Sequence, residues 1–182
     1  MKPIAYSILA LLVAQNAMSQ DKPTAELNVV PSVDLQKYAG TWFEIARLPN
    51  SFQKNCAGDV TATYTLDGDG IEVVNRCRKE NGETIEAKGR ARLADKEGPN
   101  SKLEVRFAPA FLSWLPFVWG KYWIIDLATD YSYAVIGEPS RTYLWILSRT
   151  KTVDESTLNG ILARIRQQGY DPAKLVMTKQ SS

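Results

Sequence analysis

Ile85-Glu86-Ala87-Lys88-Gly89-Arg90-Ala91-Arg92-Leu93 is the stretch that decides the architecture. Successive side chains of a strand point to opposite faces, so Ile85, Ala87, Gly89, Ala91 and Leu93 share one side. Glu86, Lys88, Arg90 and Arg92 share the other, and one face is apolar while the other is charged. The same alternation extends in both directions. Upstream, Val60, Ala62, Tyr64 and Leu66 alternate with three threonines, and Asp67-Gly68-Asp69-Gly70 supplies the positive-φ residues of a tight hairpin turn. Ile71, Val73, Asn75 and Cys77 line one face of the return strand. Downstream, beyond Gly98-Pro99-Asn100, Leu103, Val105 and Phe107 alternate with Lys102, Glu104 and Arg106.

Four further segments, Thr41–Leu48, Tyr122–Leu127, Tyr131–Gly137 and Tyr143–Ser148, bring the expected strands to eight. None is a long apolar run, which argues against a parallel sheet between helices. Eight strands on short turns, each with a polar face, bury their other faces and lose their edges by closing into an all-β, antiparallel, up-and-down barrel. A barrel of this size holds either side chains or one small ligand. The small inward residues Ala62, Ala87, Gly89 and Ala91 favour a cavity. A barrel filled by its own side chains and a two-sheet sandwich share the same periodicity. In Tyr122–Leu127 both faces are apolar and the inward set stays open.

A single helix is expected after the strands. Asp154 is placed to cap it, Leu158, Ile161, Leu162 and Ile165 recur at helical spacing, and Gly169 ends it. That stripe is read as packing on the barrel wall, with a short ninth strand at Lys174–Thr178. The expected organisation is a leader at 1–19, an extension at 20–32, the barrel domain at 33–178 and a tail at 179–182.

Composition excludes much chemistry. The 182 residues include no histidine, so neither a Ser-His-Asp nor a Cys-His arrangement exists. Two cysteines do not make a zinc site without two carboxylates, and no metal or other cofactor is expected. A net charge of +2 gives no electrostatic case for nucleic acid. Glu44 and Asp126 are the candidate interior acids, too few for a catalytic set, and the chain is read as a binding protein rather than an enzyme.

Lys2, the apolar run Ile4–Val13 and the small residues Ala17-Met18-Ser19 have the layout of a secretory leader. No later segment is apolar for long enough to span a bilayer. The chain is therefore expected to be exported to the periplasm, with possible outer-membrane association, and without a lipid-bearing cysteine at its new N-terminus. In an oxidising compartment Cys56 and Cys77 are expected to pair.

Gly40-Thr41-Trp42-Phe43-Glu44-Ile45-Ala46, Thr129-Asp130-Tyr131 and Leu147-Ser148-Arg149, in that order and before a helix, resemble the three signatures of the lipocalin family over residues 33–178. Tyr143–Thr150, with Trp42–Arg47 upstream, is most similar to the group of bacterial outer-membrane, apolipoprotein D-like and plant temperature-induced lipocalins. The resemblance implies that Trp42 and Arg149 stack over the closed end, near Gly40, Thr129, Asp130 and Tyr131, so that ligand enters at the other end. Parity then gives the wall: Glu44, Ala62 and Tyr64; Ile71 and Val73; Ala87, Ala91 and Leu93; Leu103, Val105 and Phe107; Tyr143 and Trp145. The expected guest is a fatty acid or lysophospholipid.

The connection Ala108–Trp119 is almost devoid of polar residues where a polar turn is expected. It is read as contacting a membrane surface, capping the cup or joining two copies, with tucking into the barrel as the alternative; the chain is expected to be a monomer or homodimer. Two rival functions remain at this stage: a small-molecule enzyme built on the barrel, and an interaction module using loop 108–119.

Overall fold

The computed structural model describes residues 26–181. The leader at 1–19 and the start of the extension lie outside the described residues. A short helix α1 (Leu35–Tyr38), capped by the Asp34 carboxylate, leads into β1 (Gly40–Arg47). The strands β2 (Gly58–Asp67), β3 (Gly70–Arg78), β4 (Thr84–Leu93), β5 (Lys102–Arg106), β6 (Gly120–Leu127), β7 (Tyr133–Gly137) and β8 (Leu144–Ser148) follow. Each pairs antiparallel with the next, and β1 pairs with both β8 and β2, which closes the ring. Helix α2 (Glu155–Gln167) and the short β9 (Val176–Met177) complete the chain.

Four of the expected strands change their bounds. Tyr131 adopts φ 61° in the turn before β7 and is not a strand residue. Phe107 and Tyr143 lie just outside β5 and β8. The ninth strand shrinks to two residues because Pro172–Lys174 forms a 3-10 turn.

The interior and exterior of the barrel carry separate apolar cores. Trp42, Tyr64, Ile71, Val73, Ala91, Leu103, Ile124 and Ile136 pack inside. Ile161 and Ile165 of α2 pack outside against Ile45, Ala46, Ile125, Val135 and Ile146, with Leu158 and Leu162 partly buried beside them. Asp154 caps α2 by accepting from the Thr157 amide at 2.9 Å. The register of β6 against β7 slips between Ile124 and Asp126. That bulge settles the parity: Tyr122, Ile124 and Leu127 belong to the inner core, Trp123 and Ile125 to the outer one. Asp126 is consequently not an interior acid. It faces α2 and pairs with Arg164 at 2.7 Å.

β1 and β2 stay paired only from Gly40 to Phe43. Beyond that point they diverge, and the C-terminal segment occupies the opening. β9 pairs with Ala46 and Arg47 of β1, and the Thr178 amide donates to Ile45 O. On the other side the Asp59 amide donates to Lys179 O. The Gln180 side-chain amide donates to both Glu44 O and Val60 O, each at 2.9 Å, and so stitches the two strands together.

The Ser181 amide and hydroxyl both donate to the Asp59 carboxylate. The Ser181 amide above all, then the Arg78 guanidinium, holds that carboxyl down at about 2 instead of its ordinary 3.8. A depressed folded-state pKa stabilises above the unfolded value and loses its effect as pH falls through the folded one. Docking of the tail should therefore be complete above pH 3.8 and lost as the pH falls through about 2. An NMR titration following the Ser181 amide checks this; a midpoint at the ordinary carboxyl value contradicts it.

Candidate functional site: a cup closed at one end

The base of the barrel is built where α1 turns into β1. Gly40 makes that turn at φ 95°, a region that L side chains rarely adopt. Trp42 is fully buried and donates its indole N–H to Tyr38 O at 2.8 Å. The Arg149 guanidinium lies 3.7 Å from the Trp42 ring centroid. Its nitrogens donate to the carbonyls of Lys37, Tyr38, Ala39 and Thr41, which collects the unsatisfied acceptors at the end of α1. Thr129 and Asp130 sit in the adjoining turn, where Asp130 accepts from the Ser132 amide. The Tyr131 hydroxyl accepts from the Asp34 amide at 2.8 Å, tying this turn to α1.

Above this base the inward side chains run in rows. Trp42 faces Ala62, Ala62 faces Asn75, and Asn75 faces Ala87. A second row joins Leu66, Ile71, Ala91 and Val105. Ile71, Val73, Ala91 and Leu103 are buried in the inner core. Ala62, Leu93, Val105 and Trp145 point inward yet keep accessible surface, and Ala87 is exposed rather than buried. Partial accessibility of inward residues is what the expected cavity requires. Gly89 does not add to it as expected, because a Cβ there would come within 2.7 Å of the Phe107 ring. Phe107 is itself 44% exposed and covers that position.

Three tyrosines form the floor. The Tyr122 hydroxyl lies 2.7 Å from that of Tyr38 and 2.8 Å from that of Tyr64. Burial pushes all three hydroxyls up, Tyr64 to about 12 and the other two well above 10. Tyr38 precedes the strands and Tyr122 lies in the segment of undecided parity, so neither was identifiable in the sequence as a wall residue.

Glu44 is buried, but it is not a free anchor. It accepts from Arg47 at 3.1 Å, from Gln53 at 2.6 Å and from the Thr178 hydroxyl. Gln53 in turn accepts from the Trp145 indole and from Asn50, both at 2.9 Å. The loop between β1 and β2 is thus folded onto the wall. Sequence reading missed Gln53 because nothing in a loop signals which glutamine turns inward. The Cys56–Cys77 disulfide fastens the same loop to the end of β3.

The mouth is ringed with exposed aromatic rings. Phe111, Trp114 and Phe117 are 75%, 77% and 80% exposed, so loop 108–119 does not tuck into the barrel. Its last residue, Trp119, lies on the outer wall with Arg92 at 3.9 Å and Arg106 at 5.2 Å from its ring. Phe52, on the loop between β1 and β2, is 71% exposed and packs against Tyr143, which stacks on Trp145.

Residues 33–180 match the model of a lipocalin-like domain. The chain is 42% identical over 158 residues to temperature-induced lipocalin-1 of Arabidopsis thaliana, covering 86% of this chain and 84% of that protein. It is 33% identical over 179 residues to the outer membrane lipoprotein Blc of Escherichia coli, covering 97% and 95%. Mouse apolipoprotein D is 32% identical over 164 residues, covering 85% and 80%. Insecticyanin from the tobacco hornworm Manduca sexta shares the fold, with a TM-score of 0.66 at 23% identity over 87% of this chain and 86% of that one. The chain belongs to the lipocalin family. That membership supports binding of hydrophobic ligands in general.

Arg149 closes the base with a planar fork that an ammonium does not reproduce. Arg149→Lys should lower the unfolding free energy by about 2 kcal/mol, from lost charge-assisted hydrogen bonds and ring stacking. Urea denaturation checks this, and an unchanged midpoint contradicts it.

Proposed function

We propose that the chain is a non-enzymatic carrier that takes up an extended amphiphile, a fatty acid or a lysophospholipid, and holds it in the bacterial envelope. The observation that carries this reading is the incomplete burial of the inward residues Ala62, Val105 and Trp145, between a plugged base and an aromatic mouth. Each buried methylene contributes about 0.8 kcal/mol. Micromolar affinity needs about 8 kcal/mol, net of ordering costs. An alkyl chain of about a dozen carbons or more meets that demand without polar recognition. An envelope location is supported by the leader-like residues 1–19, by the disulfide and by the name of the Escherichia coli relative.

Catalysis has little support in the site. Glu44 is occupied by Arg47, Gln53 and Thr178, and Asp126 lies outside the barrel. The described residues contain no group of three or more acids and cysteines able to hold a metal.

Saturable uptake of a fluorescent fatty acid, displaced by lysophospholipid, is the expected behaviour of the folded protein. Trp145→Arg should weaken it by at least about tenfold, because an unpaired charge is driven into the apolar hollow. Folded protein without saturable uptake refutes the carrier reading.

Loop 108–119 gives this carrier a way to meet its source. Its exposed rings beside the mouth suit the interface of a lipid surface, where amphipathic aromatic side chains partition. Replacing Trp114 and Phe117 together by Ser should reduce co-sedimentation with lipid vesicles by at least about fivefold, while uptake of a soluble fatty acid is unchanged. Equal sedimentation of parent and variant contradicts this role.

A further inference from the structure

We propose that the floor of the cup is a single-donor recognition site. There the Tyr38–Tyr122–Tyr64 hydroxyl chain gives one O–H to an uncharged acceptor oxygen, such as a ketone or ester carbonyl, at the inner end of an otherwise apolar ligand. The proposal deepens the carrier reading and rests on it. It begins from a count of protons. Three phenols carry three O–H donors, and the two oxygen–oxygen contacts, at 2.7 Å and 2.8 Å, use two of them. The chain can run from Tyr38 to Tyr64, from Tyr64 to Tyr38, or from both ends into Tyr122. Every arrangement leaves one hydroxyl proton over, and it has no acceptor among the described residues.

The surroundings sharpen the demand. The neighbouring inward residues Ile71, Val73, Leu103 and Ile124 are apolar and buried, and the inward Asn75, in the row beside Ala62, takes no part in the hydrogen bonds of the three hydroxyls. Ionisation does not remove the spare proton, since burial keeps all three phenols neutral well beyond physiological pH. Tyr122 is only partly buried as a residue and packs against the inner core on the inward side of β6. An unmet donor in such a place is costly, so a ligand ending in a methyl group leaves that cost in place and one ending in an acceptor oxygen removes it. A carboxylate is the wrong acceptor. Arg149, the cation beneath the floor, is engaged by four backbone carbonyls and separated from the hollow by Trp42. Its charge is felt at Tyr38 and Tyr64, but with its donors spent on backbone carbonyls it offers a buried carboxylate no direct ion pair to offset desolvation.

Isothermal titration of the full chain with hexadecanoic acid, and with the same acid bearing a ketone at its penultimate carbon, tests the site. The comparison protein replaces Tyr38, Tyr64 and Tyr122 together by Phe. This keeps the ring volumes and leaves no hydroxyl behind, since removing every partner of a buried network is far milder than removing one. The affinity of the keto acid relative to the parent acid should fall at least about tenfold in the triple variant. An unchanged ratio overturns the proposal, whether water satisfies the floor or the ligand sits the other way round. Should the triple variant not fold, infrared spectra of the carbon-13-labelled ketone on the parent protein decide. A carbonyl stretch lowered relative to hydrocarbon solvent supports the floor donor, and an unshifted one overturns it. Failure of both acids to bind would overturn the carrier reading itself, whereas equal binding of both overturns the floor alone.

Discussion

A sheet curled into a ring loses its free edges only while its first strand is bonded on both flanks. In this chain β1 meets that condition with three partners instead of two. Its start pairs with β2, its other flank with β8, and its end with β9, where β2 has already moved away. The register of β1 against β8 also slips between Glu44 and Ala46. That slip places Ile45 and Ala46 both in the outer core beneath α2, while Glu44 remains opposite the inward Leu147. The same strand thereby plugs the base through Trp42, supports the helix through Ile45, and supplies a carboxylate to the wall.

The polar groups at this junction are linked rather than scattered. Glu44 and Arg47, 3% and 14% exposed, form a nearly dry ion pair extended by Gln53 and Thr178. Buried pairs contribute little net stability, yet breaking one strands a charge. The cluster is therefore better understood as a positional device: it holds the loop between β1 and β2 against the rim while the disulfide holds the end of that loop. The rim is held by polar and covalent ties, and the barrel interior is lined by apolar side chains.

Most of the architecture was legible because period-two alternation is a local property. The strands of β2 to β5 were fixed by alternating threonines, charges and small apolar residues, and the parity of Ile71, Val73, Ala91 and Leu103 carried directly into the inner core. The signatures around Trp42 and Arg149 fall where the Arg149 guanidinium lies over the Trp42 ring. What escaped reading is non-local or irregular. The bulge in β6 reassigns Asp126 to the outside, and no pattern in an apolar run announces a bulge. Gly89 looked like empty space, but Phe107 from the next strand covers it. Thr178 and Gln180 meet Glu44 from the far end of the chain, and Gln53 reaches it from an irregular loop, and periodicity reports neither.

Residues 179–181 belong to the wall rather than trailing from it. Gln180 and Ser181 act as mortar between two staves that no longer touch, and the Cα side of Gly58 is pressed so closely by Lys179 O that a methyl group there would collide at 2.6 Å. A fluorescent reporter or purification handle attached behind Ser182 would pull on the wall of the vessel itself, so a label meant to leave the protein undisturbed belongs elsewhere, such as the solvent-facing turn at Asn81-Gly82.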